Sequence, residues 1–474
     1  MAKKDTPAAK KEEAVKNNWS LLAGKELDAA LAFSDGYIDF LNQGKTEREA
    51  ARFIERAARQ TGFKPLSELK SAAPGAKILL SHKGKAVALA VLGKNPLTAG
   101  MNLVASHIDA PRLDLKGNPL YEDEELALLK THYYGGIKKY QWVTIPLALH
   151  GVVAKKDGSL VEITIGEKPG DPVFTISDLL PHLAQDQMAK TMAKGIEGED
   201  LNVLFASRPL PKAEGPAVKA HALELLQREY GIGEEDFTSA ELEIVPAFPA
   251  RHVGFDRSMV GGYGQDDRVC AWTSLQAILE VKKPAKTALC VFVDKEEIGS
   301  AGNTGLQSLL LENLTAQLLR FTGSTDYYDV RQALTNSCAL SADVNSAVDT
   351  NYPSVFEKRN NSFLNRGMAL TKYTGSRGKS GASDANPEFI ATLRKLFDDA
   401  GVRWQVGELG KVDIGGGGTV AQYIAYFGLE VVDCGVPVMS MHAPFEVTAK
   451  SDIYMTYKAY KAFLQNYTGN ASRN

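Results

Sequence analysis

The stretch Leu289-Cys290-Val291-Phe292-Val293-Asp294-Lys295-Glu296-Glu297-Ile298-Gly299-Ser300-Ala301-Gly302 decides how the rest of this chain is read. Its five leading residues are apolar and include two β-branched valines, so they predict a buried strand. Two adjacent glutamates stand just past the end of that strand, and a turn of small residues follows them rather than a solvated helix. Taken alone, two adjacent glutamates more often read as a solvated charge cluster. A second reading directs one glutamate to a metal ion and its neighbour to the water that the ion activates.

Four further segments place a His or Asp in a similar position: Ser106-His107-Ile108-Asp109, Gln265-Asp266-Asp267-Arg268, Ser341-Ala342-Asp343 and Ser440-Met441-His442. His107 and Asp109 are two residues apart, so in extended backbone they share a face and the carboxylate can orient the imidazole. Each segment also has an ordinary explanation. Asp266 or Asp267 would cap the helix starting at Arg268, Asp343 would fill a turn, and His442 would be a core histidine. The ordered set is harder to explain that way. In open α/β sheets ligands bind beyond the carboxyl ends of strands, and His107, Glu296, Glu297, Asp343 and His442 lie at or just past such ends. Together they offer imidazoles and carboxylates for two divalent cations and a spare glutamate to act as base. His82, His132, His150, His221 and His252 have no such context and are read as structural.

The run Gly415-Gly416-Gly417-Gly418-Thr419 lacks both the G-K-[ST] ending of a phosphate loop and the G-x-G-x-x-G spacing of a dinucleotide site. It reads as a loop whose backbone approaches a peptide, with Gly416 and Gly417 as candidate substrate contacts. Neither H-E-x-x-H nor G-x-S-x-G occurs.

Around these motifs, strands and helices alternate from Ala288 to Tyr467, which predicts an α/β fold with a mostly parallel sheet flanked by helices. Helical spacing runs from Glu26 to Asn42, and Thr46 with Glu49 makes a capping box for a second helix. Helices are expected at Arg268 to Val281, Gly305 to Leu311 and Thr419 to Phe427, and a strand at Trp142 to Val153. Between Leu113 and Pro249 the texture changes to short alternating strands and polar loops, as an inserted, mainly β second domain would require. The expected division is a flexible tail over 1–18, a discontinuous catalytic domain over 19–112 and 250–474, and an oligomerisation insert over 113–249. A net charge of −3 gives no pull toward nucleic acid or anionic membrane. The absence of any ~20-residue apolar stretch argues against a membrane span. Four scattered cysteines read as reduced thiols, which points to the cytoplasm.

From about Trp19 to the final helix, the Ser-His-x-Asp, Asp-Asp-Arg, Glu-Glu-x-Gly-Ser, Ser-Ala-Asp and Ser-Met-His segments resemble the aspartyl aminopeptidase and vacuolar aminopeptidase I family of dinuclear metallo-aminopeptidases. The resemblance implies a dinuclear zinc exopeptidase fold and two divalent ions, most simply Zn²⁺, with Co²⁺ or Mn²⁺ as alternatives. Asp266 would bridge the ions, Glu297 and His442 would complete one site, and His107 and Asp343 the other. Glu296 would be the general base and Asp109 would orient His107. It further implies short peptide substrates with a free N-terminus and assembly into a large homo-oligomer, a dodecamer. Lys372 and Lys379 lie where relatives contact the substrate side chain, and either could pair with an acidic one. One departure is visible. Where relatives carry Pro-His-Leu-Ala-x-His, reaching a neighbouring subunit's site, this chain has Asp186 at the last position. A metal-dependent deacylase or carboxypeptidase of related fold would use a similar ligand set, and a non-catalytic assembly protein would keep the fold without the chemistry.

Overall fold

The computed structural model describes residues 17–469. Residues 1–16 of the expected tail lie outside the described residues. Of its last two, Asn17 is exposed, whereas Asn18 is buried and its side-chain amide donates to Asp452 Oδ1 at 3.0 Å.

A nine-stranded sheet forms the body, in the order Lys64–Pro65, Lys77–His82, Ala86–Val91, Thr287–Val293, Met101–His107, Cys338–Ser341, Glu430–Gly435, Met368–Thr371 and Trp404–Val406. The four strands from Thr287–Val293 to Glu430–Gly435 are mutually parallel. Antiparallel pairings flank them on both sides, but five of the eight pairings in the sheet are parallel, so it is mostly parallel with antiparallel margins. The short connection between Lys77–His82 and Ala86–Val91 permits only a hairpin, because a parallel return needs a long crossover.

Both faces of this sheet are covered. Val87, Leu89 and Val91 enter one core while Ala86, Ala88 and Ala90 enter the other, as the two-residue period of a strand dictates. Burial on both sides explains why the central strands read as unbroken apolar runs. The first core is closed by helices Gly24–Gln43, Glu47–Gln60, Gln265–Leu279 and Lys450–Asn466. The capping box of Thr46 and Glu49 forms. Met101–His107 is tied to the end of the last helix: the Asn102 amide donates to the carbonyls of Phe463 and Tyr467 at 3.1 and 2.8 Å.

A second, wholly antiparallel sheet of six strands runs Leu160–Ile165, Leu147–Ala154, Ala240–Pro246, Arg112–Asp123, Leu126–Tyr134 and Val203–Ala206, over a separate core. A third sheet joins Arg251–Val253, Met259–Gly262, Glu446–Ala449, Pro437–Met439 and Asn345–Ser346. Three expected elements are revised. The Trp142 to Val153 strand begins only at Leu147, because Trp142 is buried at the end of a 3₁₀ turn and Pro146 has no N–H for a ladder. The helix expected at Gly305 to Leu311 is Leu310–Thr322 instead. Gly305 itself sits where a Cβ would come within 2.2 Å of the Ser300 carbonyl oxygen, a close approach only glycine allows. The helix after the glycine run shrinks to Ala421–Ala425.

Candidate active site

The parallel strands deliver the site because their register aligns their ends. Val293 pairs with His107 and Ser341 with Ala105, so His107, the turn after Asp294 and Asp343 all leave the sheet at one edge. Lys295 takes a left-handed φ of +69° and starts the 3₁₀ turn Glu296–Ile298. Asp294 is used to close that turn, accepting from Thr304 Oγ1 at 2.7 Å and pairing with Lys295 at 3.2 Å.

Neither Asp266 nor Asp267 caps a helix. Both have non-helical backbone within Gln265–Leu279, and the peptide between them is cis. The Asp266 carboxylate instead stands between two imidazoles. His107 Nε2 is 3.2 Å from its Oδ1, and His442 Nε2 is 3.1 Å from its Oδ2. His442 Nε2 is also 3.4 Å from Glu297 Oε2. His107, Asp266 and Glu297 present ligand atoms within 4.8 Å of one another, as do His107, Glu296 and Asp343.

Asp109 ties these groups together. Its Oδ1 lies 3.2 Å from His107 Nδ1 and accepts the Glu296 N–H at 3.2 Å, while its Oδ2 accepts the Glu297 N–H at 3.2 Å and the Tyr134 hydroxyl at 2.9 Å. A second organiser, Glu446, has no counterpart among the expected residues. Its Oε1 accepts the His442 N–H at 2.8 Å, and its Oε2 accepts the N–H groups of Gln265 and Asp266 at 2.5 and 3.2 Å. The signal available in the sequence was a lone glutamate four residues past His442, leading into a short apolar strand.

The electrostatics fit a cation. Burial pushes the Glu296 carboxyl up to about 7, against the opposing charge of His107. Burial raises Glu297 and Asp343 well above the carboxylate range, reinforced by Asp266 and Glu296 respectively. Burial alone would lower His442, but Asp266 and Glu297 outweigh it and hold the imidazole at about 10. The buried Glu297 Oε1 has no hydrogen-bond partner. The cleft above these groups, about 460 Å³, is lined by Asp266, Glu296, Glu297, Asp343 and His442 on one side and by Gly416, Gly417, Gly418 and Thr419 on another. No lysine or arginine is among its described lining residues. Converging imidazoles and carboxylates without a neutralising side chain suit a borderline divalent ion such as zinc.

Lys372 and Lys379 are not part of this wall. Both turn to Asp384, at 3.8 and 2.8 Å, and Lys379 also sits 3.8 Å over the Tyr373 ring. Asp186 lies exposed on the short helix Gln185–Ala189, away from the cleft residues.

This is the constellation of a metal-dependent hydrolase, and comparison with known proteins names the kind. Residues 40–464 match the family described as Aminopeptidase I zinc metalloprotease (M18). The probable M18 family aminopeptidase 1 of Clostridium acetobutylicum is 51% identical over 456 residues, covering 95% of this chain and 98% of that one. The crystal structure of an M18-family aminopeptidase from Thermotoga maritima superposes with a TM-score of 0.93 at 45% identity, covering 96% of this chain and all of that one. A dodecamer of S. cerevisiae mApe1 shares the fold, with a TM-score of 0.73 at 22% identity over 93% of this chain and 97% of that one. The chain belongs to the M18 family: it is an aminopeptidase of the zinc metalloprotease type. Among the described residues no helix is long and apolar enough to cross a membrane.

Proposed function

We propose a dinuclear zinc aminopeptidase in which Asp266 bridges the two ions, Glu297 and His442 complete one position, and His107 and Asp343 the other. The observation that carries this reading is the Asp266 carboxylate, whose two oxygens each face a different imidazole. Zinc held there supplies Lewis-acid polarisation of the scissile carbonyl and of the attacking water.

Glu296 is the general base. Its carboxyl, near 7, is matched to taking a proton at neutral pH and returning it to the leaving amine. The N–H bonds from Glu296 and Glu297 to Asp109 fix the backbone from which both side chains leave. The substrate's free α-amine, in its uncharged form, would be taken by an ion that this set holds, which selects exopeptidase action. Gly416 and Gly417 let the peptide backbone run close to the loop. With no lysine or arginine described on its wall, the cleft accepts a neutral rather than an acidic N-terminal residue.

The segment 113–249 serves self-association. Leu179, Leu180, Leu183, Met188 and Met192 expose apolar surface in one stretch of it, which supports an assembly like the S. cerevisiae dodecamer. Asp186 lies in that stretch and would present a carboxylate where relatives present histidine. The four buried cysteines form no disulfide, which suits the reducing cytoplasm.

Leucyl and aspartyl peptides, each with a free or an acetylated N-terminus, test the reading on zinc-loaded enzyme. Cleavage of the free leucyl peptide alone is expected. Turnover of acetylated peptides would replace aminopeptidase action by deacylase action, and preference for the aspartyl peptide would overturn the neutral pocket.

A further inference from the structure

We propose that Tyr134-Gly135-Gly136, at the end of strand Leu126–Tyr134, is a positioning clamp through which the six-stranded sheet sets both halves of the zinc site. The inference rests on the ligand assignment above.

Three consecutive residues make three separate contacts. Tyr134 donates its hydroxyl to Asp109 Oδ2 at 2.9 Å. Asp109 is the single carboxylate that touches His107 Nδ1 and the N–H groups of Glu296 and Glu297, so restraining Asp109 restrains three groups at once. Burial and the Asp109 charge raise the phenol far above its ordinary range, which keeps it a donor. The ring is fixed in turn by the Arg112 guanidinium, 3.9 Å from its centroid.

Gly135 has φ +72°, and a Cβ there would come 3.3 Å from Glu297 Cβ and Oε2. The strand end therefore packs directly on a candidate ligand. The Gly136 carbonyl accepts from His442 Nδ1 at 2.8 Å, which places the proton on Nδ1 and leaves Nε2 free to face Asp266 and Glu297. Hydrogen bonds of this kind fix the tautomer and ring plane of a ligating histidine. One strand end thus reaches His107 and the two glutamates through Asp109, Glu297 by packing, and His442 by its backbone.

The test measures zinc affinity of the full-length assembly by competition with a chromogenic chelator, alongside kcat and KM. Tyr134→Phe is expected to weaken zinc about 10–100-fold, the usual effect of losing a group that orients a ligand, and to lower kcat more than KM. Gly135→Ala is expected to act in the same direction. Tyr133→Phe, on the opposite and exposed face of the strand, should match wild type. Thr46→Ala, which removes a helix cap, supplies a loss of stability without the clamp and should leave zinc affinity unchanged. Wild-type zinc affinity in Tyr134→Phe, or an equal weakening in Thr46→Ala, would overturn the clamp. Asp266→Ala separates the two levels: retention of zinc there defeats the ligand assignment itself, whereas its loss beside an unaffected Tyr134→Phe defeats the clamp alone.

Discussion

Two carboxylate clusters of this molecule look alike in composition and differ in what neutralises them. Glu47, Glu241 and Glu243 bring their oxygens within 4.8 Å of one another, just as the active-site residues do. In that cluster, however, the chain supplies the cations. Arg112 reaches Glu47, Asp114 and Glu243 at 3.3, 2.8 and 3.2 Å, and Lys85 pairs with Glu47 at 3.3 Å and also with Glu241. Although burial opposes it, Arg112 and Lys85 hold Glu47 down at about 2, while burial raises Glu243 against the Arg112 charge. At the cleft, among the described residues, His107 and His442 are the basic groups that face Asp266, Glu296, Glu297 and Asp343, and burial drives Glu297 and Asp343 upward. The same residue types make an internal ion network where Lys and Arg are close. Where the described neighbours include neither, the cluster is open to the divalent ion proposed for it.

The sharpest way to break this contrast is Asp266→Ala. Zinc per chain, measured by atomic emission, should fall to none although Glu47, Glu241 and Glu243 are intact, and activity should vanish with it. Residual zinc would mean that the two clusters are alike after all. Glu296→Gln should keep the zinc yet lower kcat by about 10²–10⁴, the worth of general-base catalysis. Equal zinc loss in Glu296→Gln would move Glu296 into the ligand set. Arg112→Met attacks the other cluster. Removing one partner of a buried ion network should cost about 3–5 kcal/mol, read as a lower urea midpoint. A stability loss under about 1 kcal/mol would show that Lys85 alone neutralises the network.

Much of the active-site cluster was legible because strand ends are local. The apolar runs before His107, Asp294 and Asp343 are visible in single stretches of sequence, and the topology then aligns them. Asp266 and Asp267 were ambiguous, since helix caps use the same residues; only the non-helical backbone separates the two uses. Glu446 and Tyr134 were not found. Each acts through hydrogen bonds to residues from other strands and turns, and no period or motif encodes such a pairing. The third sheet was missed for the same reason: its strands are two to four residues long, drawn from three separate stretches of the chain. Lys372 and Lys379 were placed by their neighbourhood in sequence, but Asp384, only five residues past Lys379, draws both away from the cleft.

Two smaller effects sharpen the picture at its edges. Thr46→Ala should cost about 1 kcal/mol in denaturant titrations, the value of an N-cap. Lys372→Ala should change stability by less than about 0.5 kcal/mol, as partly exposed ion pairs usually do. It should alter kcat/KM equally for aspartyl and leucyl peptides. A selective loss on the aspartyl peptide would return Lys372 to the substrate pocket.

The bonds from Asn102 to the carbonyls of Phe463 and Tyr467 have a consequence for synthesis. Strand Met101–His107 emerges from the ribosome early, but its sheet neighbours Thr287–Val293 and Cys338–Ser341 come much later, and the Asn102 amide meets its acceptors last of all. At ~5–20 residues per second, roughly 20–70 s separate translation of His107 from that of Tyr467. Until Thr287–Val293 is made, roughly 10–40 s after His107, the nascent chain carries an apolar strand without its parallel neighbours. The proposed ligand set is complete only once His442 has been made, and a chain stalled before the final helix is expected to be aggregation-prone rather than partly active.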